Sequence, residues 1–238
     1  MKDVTGETPS IDLAGADLSA VGERLPVPGY DRSTPARSIV HIGVGGFHRA
    51  HLAVYVDELC RQGHTGWSIV GSGVTPFDGA MAEALGAQDG LYTLVERGRT
   101  GTSARVIGSI VDYVLASERP GDLVDRLASP EVAIASMTIT EGGYPVDDLS
   151  GEFLPDSDSL AFEILTEALA RRRADGVGPL TVVSCDNVIG NGHTARTSTI
   201  GTAALRDPDL AGWIESEVAF PNSMVDRITP VTTDADRR

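Results

Sequence analysis

Lysine, cysteine and aromatic residues are scarce in this chain of 238 residues. Lys2 is the only lysine, so the rest of the chain cannot supply a lysine for catalysis. The two cysteines, Cys60 and Cys185, form no CxxC pair and no Cys/His ligand spacing, which argues against a zinc site or a disulfide framework. Because aromatic residues make up only 5% of the chain, the core must consist mainly of Val, Ile, Leu and Ala.

Long hydrophobic runs are also missing. No segment approaches the roughly 20 apolar residues that cross a bilayer, and residues 1–17 lack the apolar stretch of a signal peptide. The formal charge of -15 disfavours nucleic acid and anionic lipid as partners. We therefore expect a cytoplasmic protein that binds a small molecule, with no nucleic-acid, membrane or metal partner.

Short apolar runs alternate with amphipathic segments from residue 38 onward. The predicted strands are 38–42, 67–70, 91–96, 104–115, 132–140, 180–183 and 223–229. The predicted helices are 18–24, 49–61, a helix capped by Asp78, 122–127, 159–173, 193–205 and 208–218. This alternation predicts an α/β fold with a doubly wound, mainly parallel, Rossmann-like sheet. Residues 1–37 are interpreted as an N-terminal arm and residues 38–238 as a dinucleotide-binding domain.

In such a fold, ligands bind at the carboxyl ends of the strands. Residues 43–47, 140–144 and 184–187 are all expected there. Gly43, Gly45 and Gly46 follow a strand and precede a helix, as in a turn that binds pyrophosphate. His48, however, stands where the GxGxxG pattern has its last glycine, and a tight turn without a ligand is the alternative interpretation.

The second predicted strand ends in 70–73 without the acidic residue that usually binds the coenzyme ribose. Asp78 is the nearest candidate, but it could equally cap the following helix. This pattern therefore does not settle NAD versus NADP; the expected cofactor is NAD, and NADP is not excluded.

Residues 43–51, Gly-Val-Gly-Gly-Phe-His-Arg-Ala-His, resemble the signature of the mannitol dehydrogenase family of polyol-specific long-chain dehydrogenases. The resemblance extends through 87–93, 140–144, 184–187, 191–192 and 220–230, and in that family His48 is the normal residue at its position. It implies a Rossmann-type domain that binds a nicotinamide cofactor for hydride transfer between NAD(P) and a polyol, its ketose or a hexuronate.

Members of that family are longer, and their second, helical domain carries a lysine that acts as the general base. By this resemblance, the chain is expected to be the cofactor domain alone, without the helical catalytic domain and inactive by itself. A non-catalytic or truncated nucleotide-binding module is the alternative.

Two sets of site residues are predicted. The cofactor-binding candidates are Ile42, Gly43, Val44, Gly45, Gly46, Phe47, His48, Arg49, Thr140 and Glu141. The resemblance also implies that Asn191, with Asn187 four residues before it, donates to the developing alkoxide, because an amide donates without titrating. The alternative is that both amides cap a helix or tie down a loop, and Asn191 is the stronger candidate of the two.

Overall fold

The computed structural model describes residues 13, 18–33, 35–99, 101–147, 149–225 and 227–233. Residues 1–12, 14–17 and 34 of the N-terminal arm, among them Lys2, lie outside the described residues. Helix α1 begins at Leu18 as predicted and ends at Gly22, two residues earlier than expected.

The sequence alternation produces seven strands. They are β1 Arg37–Ile42, β2 Trp67–Gly73, β3 Tyr92–Gly98, β4 Gly101–Ile107, β5 Ile110–Leu115, β6 Val132–Met137 and β7 Thr181–Ser184. Five of them form a parallel sheet in the order β5-β2-β1-β6-β7, which confirms the doubly wound Rossmann-like prediction. The chain leaves β1 toward β2 on one side and reaches β6 on the other, so the topological switch point lies between the ends of β1 and β6.

Helices cover both faces of this sheet. They are α2 Gly46–Ala50, α3 Leu52–Arg61, α4 Gly79–Ala87, α5 Pro120–Ala128, α6 Leu160–Ala174, α7 Asn191–Ala204 and α8 Pro208–Glu217. Successive side chains of β1 point to opposite faces of the sheet. Val40 and Ile42 pack in the core against α5 to α8, whereas Ile39 packs in the core against α3 and α4. None of the described helices is long and apolar enough to cross a membrane.

Two predicted elements are divided. The helix expected over 49–61 breaks at His51 (φ -121°, ψ -97°), because the Tyr92 hydroxyl donates to the Arg49 carbonyl at 2.6 Å. The strand expected over 104–115 is interrupted at Gly108, whose N–H donates to Asp57 Oδ1 at 2.9 Å. As a result β4 pairs antiparallel with β3 in a separate hairpin, and only β5 joins the main sheet.

The prediction of a last strand over 223–229 is wrong. The described residues of this segment form no strand, and the nearest strand-like contact is a bridge from Ala219 to Thr181. Hydrogen bonds between the Asn191 side chain and the Ser223 main chain hold the start of this segment instead. The strand expected over 132–140 also ends early, at Met137, because Thr140 has a positive φ of 63°.

Candidate active site

The chain leaves β1 in a glycine turn between the ends of β2 and β6. Gly43 has φ +90°, and a Cβ there would lie 2.1 Å from the Thr138 carbonyl oxygen, so only glycine fits. Its N–H donates to the Ser72 carbonyl at 2.8 Å, which fixes the turn against β2. At Gly45 and Gly46, by contrast, a Cβ would meet nothing within 4 Å outside the adjacent residues. The main chain at these two glycines is therefore open to a ligand.

A row of hydrogen bonds beneath the turn holds the Gly43 carbonyl. The Thr138 hydroxyl donates its one proton to that carbonyl at 2.6 Å, so it accepts from His41 Nε2 at 2.9 Å. His41 is thus the Nε2–H tautomer, and its Nδ1 accepts from Ser136 Oγ at 2.8 Å. Burial lowers the pKa of His41 to about 3. Neutral hydrogen bonds therefore position the turn at pH 7.

His48 lies on the inner side of the turn. Its ring stacks on His41 with centroids 3.5 Å apart, and it is 1% exposed. Its two nitrogens have no partner among the described residues, and burial lowers the pKa of the ring. The flat ring provides the close packing that glycine would otherwise allow. Because the ring faces inward, only the main chain of His48 can contact a ligand, and the same holds for the buried Ile42 and Val44.

Phe47 and Arg49 lie on the outer side of α2. The Phe47 ring stacks on His51 with centroids 4.8 Å apart. Arg49 is half-buried and donates from Nη1 to the Met81 sulfur at 3.0 Å. Among the described residues, Arg49 forms no ion pair with a carboxylate. A half-buried guanidinium without a counter-ion, three residues past the open glycines, suits an anionic ligand.

Asp78 lies against the end of β2. A Cβ at Gly73 would lie 2.2 Å from the Asp78 Cβ, so the two residues are in close contact. The prediction that Asp78 caps the next helix is corrected in one respect: its side chain makes no cap bond to α4. Its Oδ2 instead accepts from the Thr75 N–H at 2.9 Å and the Thr75 hydroxyl at 2.8 Å.

The loop after β6 faces the glycine turn across the switch point. Thr140 has φ +63° and ψ 166°, a conformation that a β-branched residue rarely adopts. The Asp186 carboxylate, which follows β7, accepts from the N–H groups of Ile139 at 3.0 Å and Thr140 at 2.9 Å. Glu141 follows in a short 3-10 turn with its side chain exposed.

The two asparagines differ sharply in their surroundings. Asn191 is 1% exposed, and its Nδ2 donates to the Asp186 carbonyl and to both oxygens of Ser223. Its Oδ1 accepts from the Ser223 N–H at 2.9 Å. Asn187 is exposed and makes no side-chain hydrogen bond among the described residues. The Asn191 amide is thus engaged with protein groups, whereas the Asn187 amide has no partner among the described residues. The order that the sequence favours, with Asn191 as the stronger candidate, stays a prediction.

Cys185 lies just after the end of β7, next to Asp186 in the chain. It is buried, and its N–H donates to the Met137 carbonyl at 2.8 Å. Burial, reinforced by the neighbouring Asp186 carboxylate, raises the pKa of the thiol to about 11. The thiol is therefore protonated at neutral pH.

Sequence reasoning missed the residues that hold the site together. Asp186 lies within the segment singled out for the site, but nothing in the sequence shows that its carboxylate reaches back to residues 139 and 140. Thr138 looked like part of a strand, although its hydroxyl supports the glycine turn. The sequence does show that polar residues follow each apolar strand. That pattern indicates the edge of the sheet where the site lies, but it does not show which residues hydrogen-bond to each other.

An open glycine main chain at the switch point of a doubly wound sheet defines a Rossmann-type nucleotide-binding domain. The sequence matches the family described as the mannitol dehydrogenase Rossmann domain over residues 37–237, and the chain belongs to that family. The expected family membership is thereby confirmed.

Individual relatives agree with this assignment. The chain is 44% identical to mannitol 2-dehydrogenase of Phaeosphaeria nodorum, covering 97% of this chain and 43% of the relative. It is 46% identical to mannitol 2-dehydrogenase of Cereibacter sphaeroides, covering 88% and 46% respectively.

Two solved structures have the same fold. One is Pseudomonas fluorescens mannitol 2-dehydrogenase in a ternary complex with NAD and D-mannitol, with a TM-score of 0.84 and 45% identity over 90% of this chain and 46% of that one. The other is D-sorbitol dehydrogenase in substrate-free form, with a TM-score of 0.82 and 41% identity over 90% and 47%. The chain thus spans about half the length of the relatives it matches.

Proposed function

We propose that this chain supplies the coenzyme-binding part of a dehydrogenase that transfers hydride between NAD and a polyol or its ketose. The observation that carries the proposal is the glycine turn that begins at Gly43, whose main chain is uncovered at Gly45 and Gly46 beside the switch point between β1 and β6. The complex of the Pseudomonas fluorescens relative with NAD and D-mannitol supports the same assignment. Within the resemblance, mannitol, arabinitol and hexuronates are the candidate substrates.

The residues present fit a dinucleotide. The main chain at Gly45 and Gly46 can approach a pyrophosphate because no side chain intervenes. The Arg49 guanidinium, which lacks a carboxylate partner among the described residues, would offset the phosphate charge. When bound, the nicotinamide supplies the hydride acceptor for an alcohol and the hydride donor for a ketone.

Asp78 favours NAD over NADP. Its carboxylate lies against the end of β2, where an acidic residue accepts from the ribose hydroxyls of NAD. A 2′-phosphate at that place would meet a like charge and would bind less well. We expect NAD to bind at least tenfold more tightly than NADP, and calorimetric titration with each nucleotide measures the ratio.

Asn187 would stabilise the alkoxide that forms on the substrate. Its amide is exposed at the carboxyl end of β7 and has no partner among the described residues, so it can donate to a developing negative charge. Asn191 would hold the loop that carries it, through the Asp186 and Ser223 carbonyls. Glu141 and Thr140 border the same space from the loop after β6.

The proton of the alcohol needs a base, and no lysine among the described residues can serve as one. The resemblance implies a lysine in the second domain of the family, whereas Lys2, the only lysine here, lies outside the described residues. We therefore expect the 238-residue chain to bind NADH with negligible turnover of mannitol or fructose. Absence of any binding would overturn the coenzyme assignment and favour a non-catalytic remnant. Robust turnover would contradict the need for an external base.

A further inference from the structure

Asp186 is a buried carboxylate that joins two loops of the candidate site. Its Oδ1 accepts from the Thr140 N–H at 2.9 Å, and its Oδ2 accepts from the Ile139 N–H at 3.0 Å and from the Tyr144 hydroxyl at 2.7 Å. Asp186 forms no ion pair with a described Arg or His. The negative charge is therefore stabilised by three hydrogen bonds that all come from the loop after β6.

The hydrogen bonds of Tyr144 have a fixed direction. Because Tyr144 gives its only proton to Asp186, it must accept from the Ser184 hydroxyl at 2.7 Å. The loop after β6 is thus attached at its beginning, by residues 139 and 140, and at its end, by Tyr144. Both attachments connect this loop to the end of β7 and to Asp186, the residue that precedes Asn187.

Thr140 needs such an attachment. Its φ of +63° and ψ of 166° lie in a region that glycine adopts freely and that a β-branched residue adopts only under constraint. No hydrogen bond from the Thr140 side chain to a described residue compensates for this conformation. Within the loop, the Thr140 carbonyl accepts from the Gly143 N–H at 3.0 Å. The bond from the Thr140 N–H to Asp186 is the contact that holds Thr140 from outside the loop.

We propose that Asp186 is a positioning residue that fixes Thr140 in its strained conformation and thereby sets the loop after β6 against Asn187 at the switch point. The proposal rests on the proposed function only for its effect on the coenzyme. The charge is required because two N–H groups converge on the two oxygens. An Asn side chain has one oxygen and would direct an NH₂ group at the other N–H.

The first measurement is independent of any ligand. Hydrogen–deuterium exchange of the peptide that covers residues 138–145 is compared between the wild-type chain and Asp186→Asn. We expect exchange at least tenfold faster in the variant, with unchanged exchange in β1 and β2. Unchanged exchange in 138–145 would overturn the proposal. If Asp186→Asn does not fold, Tyr144→Phe removes one donor only, and faster exchange in the same peptide is again required.

The second measurement is a rescue. Asp186→Asn is expected to raise the Kd for NADH at least fivefold in the wild-type background and less than twofold in the Thr140→Gly background, because glycine needs no constraint at φ +63°. An equal rise in both backgrounds would mean a general structural role and would overturn the proposal. If the wild-type chain binds no NADH, the proposed function fails, whereas the exchange measurement still decides the role of Asp186.

Discussion

Residues 43–46 after β1 and residues 138–144 after β6 meet at one edge of the sheet, but different forces hold them. The glycine turn is fixed by steric exclusion and by neutral hydrogen bonds from Thr138, and its open surface is main chain. The second loop is fixed by a buried charge, Asp186, and presents the side chains of Thr140 and Glu141. One side of the candidate site therefore exposes main chain, which on the proposed function would contact pyrophosphate, and the other side holds particular side chains in place.

The largest effect is expected from Gly43→Ala. The new Cβ would lie 2.1 Å from the Thr138 carbonyl oxygen at φ +90°, so the turn must move. We expect at least a 100-fold loss of NADH affinity, measured by fluorescence titration, and a loss of roughly 3 kcal/mol in the free energy of unfolding.

Gly46→Ala is the matched control. Its Cβ would meet open space, and it lies at the first position of α2, so stability should stay the same or rise by about 0.5 kcal/mol. NADH affinity should still fall, because the Cβ would cover the main chain. If both variants lost stability equally, steric exclusion at Gly43 would not be the force that holds the turn.

The second effect separates the two asparagines. Asn191→Ala removes the donor to the Asp186 and Ser223 carbonyls and leaves buried polar groups without partners. It should lower the free energy of unfolding by about 2–3 kcal/mol in urea. Asn187→Ala, at an exposed position, should leave stability unchanged within about 0.5 kcal/mol. A reversed order would show that Asn191 is not the structural one.

The third effect is a dependence of stability on pH. Folding lowers the pKa of His41 to about 3 and lowers that of His48 in the same direction, so the unfolded state binds more protons below the ordinary value of 6.5. The stabilising effect is complete above pH 6.5 and decreases as the pH falls, by up to about 1.4 kcal/mol per pH unit for each histidine. Urea midpoints measured from pH 7.5 to 5 test this. The slope should be shallower in His41→Gln, and an identical slope would exclude His41 as its source.

The smallest effect concerns charge at the glycine turn. Arg49→Met should weaken NADH binding about tenfold and reduce its dependence on salt, because a guanidinium that has no carboxylate partner among the described residues is lost. Stability should not decrease, since Met restores apolar contact beside Met81. Arg173→Met, in an exposed ion pair with Asp207, is the control and should leave binding unchanged.

The fold could be predicted from the sequence because strands such as 38–42 and 180–183 are short, mainly apolar runs that alternate with amphipathic helices. The breaks that divide the predicted helix over 49–61 and the predicted strand over 104–115 could not be predicted. The break at His51 depends on Tyr92, and the break at Gly108 depends on Asp57, which are contacts between distant segments. A single sequence carries no sign of such pairings.

The site was predicted to the correct edge, but not in its details. Gly43 follows from turn geometry, whereas the stacking of His48 on His41 becomes visible only when both lie beneath the turn. The different surroundings of Asn191 and Asn187 could not be predicted for a related reason, and the preference for Asn191 as the donor stays a prediction. The position of both amides after a strand indicates that they lie near the site. Only the hydrogen bonds between Asn191 and Ser223 show that the Asn191 amide already has protein partners.

The reactivity of Cys185 can report on motion at the candidate site. Its thiol is buried and protonated at neutral pH, and the next residue in the chain is Asp186, whose carboxylate joins the two loops. A thiol reagent is therefore expected to modify Cys185 only when the carboxyl end of β7 moves far enough to expose the thiol. The rate of that modification, read from the mass of the peptide, would measure how often this edge of the sheet opens in the absence of substrate.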